Sequence, residues 1–221
     1  KGDAGNADTI VGGSNNGVTW NGCIEERPTS NSITCSTKPS VNNIPSSARD
    51  LDIDGVPDSN PNSKWGPQFP AVQYLVNGSS PAQNFCPPEA RRMSKMSRSE
   101  LQTYVNNLTP TGPTYHNVGM VWGARMISRK GIFAADNPEE FGKRPVARYV
   151  IFLTDGDMEP SSTSGSAYGV ERLDRKVMGG AYNAAVSDGK NTELSRRHDR
   201  RFVMACNLAK QSGASIWTIA F

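Results

Sequence analysis

The chain has 221 residues, with 24 Lys and Arg against 21 Asp and Glu for a net charge of +3, and can bury a substantial core as one large or two small domains. That charge is small for the length, and the basic residues are not interleaved with aromatics, so a nucleic-acid partner is disfavoured. No apolar run approaches the roughly 18 residues of a membrane span and no signal peptide is recognisable, while a first residue Lys1 in place of Met reads as a piece of something longer.

Residues 1–93 are dominated by Gly, Ser, Asn, Asp and Pro, and hold ten of the fifteen prolines. The apolar islands are short: Val18-Thr19-Trp20, Cys23-Ile24 and Phe69-Pro70-Ala71-Val72-Gln73-Tyr74-Leu75-Val76. None has helical periodicity, so long ordered loops with a few short strands are predicted, of the kind that signals function or disorder. The four cysteines, Cys23, Cys35, Cys86 and Cys206, include no C-x-x-C pair, so zinc spacing is not supported. Cys23 and Cys86 flank the loop-rich region and are the expected disulfide. A bond there implies an exported, oxidising location; four buried thiols in a cytosolic protein are the alternative.

Within this region Asp50-Leu51-Asp52-Ile53-Asp54-Gly55-Val56-Pro57-Asp58 carries carboxylates at alternate positions, with a glycine at the turn. Hard oxygen ligands so spaced can wrap a calcium ion, which would make Asp50, Asp52, Asp54 and Asp58 its ligands. Leu51 and Ile53 are apolar, and Pro61 stands where an EF-hand has its bidentate glutamate. The choice is between an open, non-EF calcium loop and a solvated acidic turn.

From Ser94 onward, in residues 94–221, the pattern becomes α/β. Ser97 and Glu100 form a capping box ahead of a helix with Leu101, Tyr104, Val105 and Leu108 on one side. After Thr109-Pro110-Thr111-Gly112-Pro113, a second helix is predicted over residues 114–130, largely buried, with Gly119 and Gly123 allowing close approach. Within Arg148-Tyr149-Val150-Ile151-Phe152-Leu153-Thr154, the five residues 149–153 are an unbroken apolar run, read as a central parallel strand covered on both faces. It stops at Asp155-Gly156-Asp157, and ligand sites of open α/β sheets lie just beyond such strand ends. A third helix is predicted over residues 192–212, closed by Gly213 as an αL cap. Its Ser195-Arg196-Arg197-His198-Asp199-Arg200-Arg201 run reads as a solvated basic face, with partner docking as the sharper alternative. Residues 215–221 read as the next parallel strand.

Together, Leu108-Thr109-Pro110-Thr111-Gly112-Pro113-Thr114, the helix with Trp122-Gly123, and the strand ending Thr154-Asp155-Gly156 resemble the latter half of a von Willebrand factor A domain. Trp20-Asn21-Gly22-Cys23-Ile24-Glu25-Glu26-Arg27, Cys86-Pro87 and Ser215-Ile216-Trp217-Thr218-Ile219-Ala220-Phe221 narrow the likeness to the TadG family of tight-adherence (Flp) pilus assembly proteins. The resemblance implies a Rossmann-type parallel sheet with flanking helices, incomplete at the N-terminus, with residues 1–93 as a loop-rich, disulfide-containing insertion. It also implies a metal-ion-dependent adhesion site for Mg2+ or Mn2+. Thr114 matches the family's threonine and Asp155 its strand-end aspartate. The family's D-x-S-x-S loop is nowhere in this sequence.

Those residues point to a non-enzymatic protein-binding module in pilus assembly or pilus-associated adhesion, in the bacterial envelope, with a membrane tether outside this chain. A Ca2+- or Mg2+-dependent surface adhesin for host or matrix ligands is the second reading. A hydrolase is the least favoured, since His116 and His198 are the only imidazoles and no G-x-S-x-G elbow or phosphate loop occurs.

Overall fold

Proline and glycine cut the apolar islands of the first half so short that only brief strands form there. The computed structural model describes residues 10–11, 20, 22–76 and 80–220, so Val18, Thr19 and Phe221 lie outside the described residues. The strands β1 (Ile10–Val11), β2 (Ile24–Glu25), β3 (Gly66–Pro67), β4 (Gln73–Val76) and β5 (Ser80–Pro81) make two small antiparallel sheets, β1-β4-β5 and β2-β3. Then come α1 (Arg98–Asn106), α2 (His116–Met126), the hairpin β6 (Glu140–Phe141) and β7 (Arg144–Pro145), and β8 (Arg148–Thr154). A second hairpin, β9 (Gly165–Ser166) and β10 (Gly169–Val170), leads through the single turn α3 (Glu171–Asp174) to α4 (Glu193–Gln211) and β11 (Ala214–Ala220).

The two longest strands pair as their sequences suggest. β8 and β11 are parallel, in register from Arg148 with Ala214 to Thr154 with Ala220. The crossover between them carries α4, which packs with α2 on one face of the pair. Val150, Phe152 and Ile216 point into that layer against Met120, Val121, Ala124, Met204, Ala205 and Ala209. Each fully buried side chain of the larger apolar kind contributes about 1.5–3 kcal/mol. Ile33, Ala48, Leu51 and Ile53 complete the same core, so the loop-rich half and the α/β half share one interior.

The opposite face corrects an expectation. Tyr149, Ile151 and Leu153 alternate with the buried positions of β8 and are exposed, as are Trp217 and Ile219 on β11. The run is apolar on both sides of the strand, yet both helices lie on one side, and no described element covers the other.

Helix ends follow local chemistry. Thr192 caps α4, accepting from Ser195 N at 3.2 Å, and Gly213 leaves it at φ +86°. The Ser97–Glu100 capping box opens α1. The second helix is shorter than the predicted 114–130, because Tyr115 is non-helical at φ −128°, ψ 80° and Thr114 is drawn into a bridge with Glu159. Arg148 donates to the carbonyls of Ile127 and Ser212, placing one guanidinium at the C-termini of both α2 and α4, where their dipoles favour a cation. Cys23 and Cys86 are bonded, with Cα atoms 5.9 Å apart, and Cys35 and Cys206 are free.

Candidate functional site

The C-terminal end of β8 carries the residues singled out above. Thr114 arrives there by main-chain pairing: its N–H donates to Glu159 O at 3.1 Å and its carbonyl accepts from Glu159 N at 3.3 Å. Glu159 lies a short turn beyond β8, and His116, two residues after Thr114, reaches Thr154 at the strand's last position. Thr114 and Asp155 therefore lie toward the same end of the parallel pair, and both are exposed. Between them, Thr154 shapes the strand end. Its hydroxyl accepts from Gly156 N at 3.3 Å and lies 3.0 Å from His116 Nε2. That Ser/Thr-type turn aims Asp155 outward, beyond the sheet.

His116 is a further resident of this end. Its ring stands edge-on to Phe152 at 5.6 Å, and it acts on the neighbouring Asp199. Burial raises the Asp199 carboxyl, with His116 opposing the rise and Asp157 adding to it. Neither Asp199 nor Thr154 was identified from sequence. The Thr-Asp-Gly turn was the available signal for Thr154; Asp199 lies on α4, with nothing local to mark it. Thr114 and Asp155 offer one hydroxyl and one carboxylate, hard oxygens of the kind Mg2+ and Mn2+ take. Among the described residues, no three His, Cys, Asp or Glu side chains gather closely enough to hold a metal ion. One hydroxyl and one carboxylate are the only hard-oxygen donors that the sequence-derived site places at this strand end, fewer than Mg2+ or Mn2+ takes.

The aspartates of residues 50–58 go to separate partners. Asp50 is fully buried, 3.5 Å from Arg201 Nε, and accepts from Tyr168 Oη at 3.0 Å. Asp52 accepts from Asp54 N at 3.2 Å, and Asp58 from Asn60 N at 2.7 Å, each closing its own turn. Asp54 accepts from the Ser128 hydroxyl. Leu51 and Ile53, the apolar residues between the carboxylates, sit in the core. The run thus plugs the segment into the interior, with Arg125 donating to Asp50 O and Arg27 to Asp52 O.

The basic run of α4 is likewise not a solvated face. Arg201 and His198 are buried; Arg201 Nη2 donates to Ser30 O at 2.6 Å, Arg197 Nη1 to Asn31 O at 2.8 Å and Arg200 Nε to Cys35 O at 2.9 Å. These arginines satisfy loop carbonyls that have no ladder of their own. His198 packs edge-on to Tyr115 and Tyr168, at 5.0 and 5.3 Å. Burial, reinforced by Arg201, holds its imidazole well below the usual histidine range, so it is neutral in the fold.

A stability change with pH follows. The unfolded chain takes up a proton at His198 below about pH 6.5, whereas the fold resists it, so this contribution is complete above that value and lost as pH falls toward the depressed folded value. Buried Asp50 and Glu171 and half-buried Asp199, whose carboxyls are raised, act in the opposite sense as pH falls. The difference between wild type and His198→Phe isolates the histidine. Denaturant unfolding at about pH 7.5 and 5.5 should show wild type losing up to about 1.4 kcal/mol per pH unit more than the variant. Equal pH slopes would place the proton elsewhere.

Compared with known proteins, the chain matches no protein-family model, no curated protein and no solved structure.

Proposed function

We propose that the protein is a non-enzymatic binding module of von Willebrand factor A type, similar to the TadG family, serving tight-adherence pilus assembly or pilus-associated adhesion in the bacterial envelope. One observation carries the reading. The β8–β11 parallel pair is backed by α2 and α4, with Asp155 next in sequence after β8 and Thr114 held by its main chain to Glu159 beyond that strand. In open α/β sheets the C-terminal ends of the strands are where ligands bind. The Cys23–Cys86 bond supports an oxidising compartment. Both imidazoles are engaged structurally, His198 in the core and His116 against Thr154 and Phe152, which favours binding over hydrolysis.

In this reading Thr114 and Asp155 hold a Mg2+ or Mn2+ ion, supplying a hydroxyl and a carboxylate. When bound, the ion offers a coordination position to an oxygen ligand from a protein partner, typically a carboxylate. Two protein ligands compensate little of the ion's dehydration, so affinity in residues 1–221 alone is weak and rises in a protein that also carries a D-x-S-x-S loop. Calorimetric titration of such a protein with Mg2+ and Mn2+ tests this. Asp155→Ala should abolish the binding heat while leaving the unfolding temperature unchanged, since an exposed strand-end carboxylate contributes little packing. An unchanged affinity in Asp155→Ala, or no heat in wild type, would leave an A-type scaffold that works through another surface.

A further inference from the structure

Two apolar surfaces stand open on the described residues, and they match in length. The first is the open face of the β8–β11 pair, where Tyr149, Ile151, Leu153, Trp217 and Ile219 are 48–62 % exposed. With aromatic and aliphatic side chains of ordinary size this amounts to roughly 600 Å², at or above the largest patch of a typical monomer. Parallel strands are otherwise found covered on both faces. The second is α1, none of whose residues is buried. Leu101 and Val105, spaced i and i+4, form its apolar stripe, with Leu108 two residues past the helix end beside them, and the three are 45–50 % exposed.

We propose that two copies of this chain associate reciprocally, α1 of each lying on the open β8–β11 face of the other. The nine residues of α1 are about 13.5 Å long, and Tyr149 to Leu153 spans about 13 Å along β8. Two strands make a strip about one helix wide. Sheet face and helix stripe together bring the apolar area of each protomer to roughly 850 Å², close to the ~800 Å² per partner of a stable interface, which the sheet face alone does not reach. Stacking the two sheets face to face would leave both α1 stripes bare.

Intramolecular coverage is opposed by moorings. Tyr104 Oη donates to Glu89 O at 3.2 Å, Arg91 lies 5.4 Å over the Tyr104 ring, and Arg92 pairs with Asp136 at 2.8 Å. Thr114, eight residues beyond α1, is fixed by its bridge to Glu159. A reciprocal exchange satisfies both faces and closes as a twofold dimer. This inference does not rest on the metal reading.

Sedimentation equilibrium on residues 1–221 and three variants tests it. Wild type should run at about twice its 23.9 kDa mass. Ile151→Glu, with Tyr149→Lys as the alternative if the first misfolds by circular dichroism, should be monomeric, and so should Leu101→Glu/Val105→Glu. All four positions are exposed, so the fold should survive. Mixing a sheet variant with the helix variant leaves one intact helix-on-sheet contact, and a heterodimer should reappear with weaker affinity than wild type. A monomeric wild type, open-ended polymers, a helix variant that stays dimeric, or a mixture that stays monomeric would each overturn the proposal.

Discussion

Arg125→Ala should be among the most damaging single substitutions in the protein. Arg125 donates through Nη1 to Glu26 Oε1 at 2.6 Å and through Nη2 to Glu26 Oε2 at 3.0 Å, and the two side chains are 1 % and 2 % exposed. The same guanidinium serves Asp50 O and lies 4.8 and 5.3 Å from the Trp122 and Trp65 rings. Removing it leaves Glu26 buried without its counter-ion, which costs about 3–5 kcal/mol, whereas replacing both charges with apolar groups of similar volume is often neutral. The paired variant Arg125→Met/Glu26→Leu should therefore recover much of the loss, within the limit set by the orphaned Asp50 carbonyl. Urea unfolding of wild type, both single variants and the double variant gives the coupling directly. Additive losses would mean that the pair does not act as a unit.

The second large effect is the disulfide. Cys23 and Cys86 close a loop with a sequence separation of 63, rich in proline and glycine and poor in regular structure. Chain-entropy reasoning for that length assigns the bond about 4 kcal/mol. The loop it closes contains Ile33, Leu51 and Ile53, which fill the core against α2 and α4, so opening it should loosen both halves together. Cys23→Ser/Cys86→Ser is expected to lose about that amount in equilibrium unfolding, with a matching loss on reduction of wild type. A loss below about 1 kcal/mol would show that the loop's own packing already restrains the unfolded chain.

Much of the frame was legible because local and global signals agree. The β-branched and aromatic runs of β8 and β11, the threonine before α4 and the glycine after it each name their own structure. Coverage of β8 was not legible. An unbroken apolar run has the same composition whether one face or two are covered, and only the placement of α2 and α4 decides. The aspartate run misled for a related reason. Leu51 and Ile53 looked like defects of a calcium loop, yet they are core residues, and the partners Arg201 and Ser128 are distant in sequence. The arginines of α4 looked solvated because periodicity cannot foresee loop carbonyls that need donors. Asp155 was marked by its strand-end position and Thr114 by its place before a helix and the family resemblance, whereas Asp199 was invisible because only packing brings α4 beside His116.

The central claim, an ion-binding edge at the end of β8, is tested most directly by adding Mn2+ to isotopically labelled protein and following paramagnetic broadening of backbone amide signals. Broadening should centre on Thr114, Asp155 and Gly156, be reversed by excess Mg2+, and disappear in Asp155→Ala. Broadening centred on Asp52 and Asp58 instead, or unchanged in Asp155→Ala, would contradict the claim.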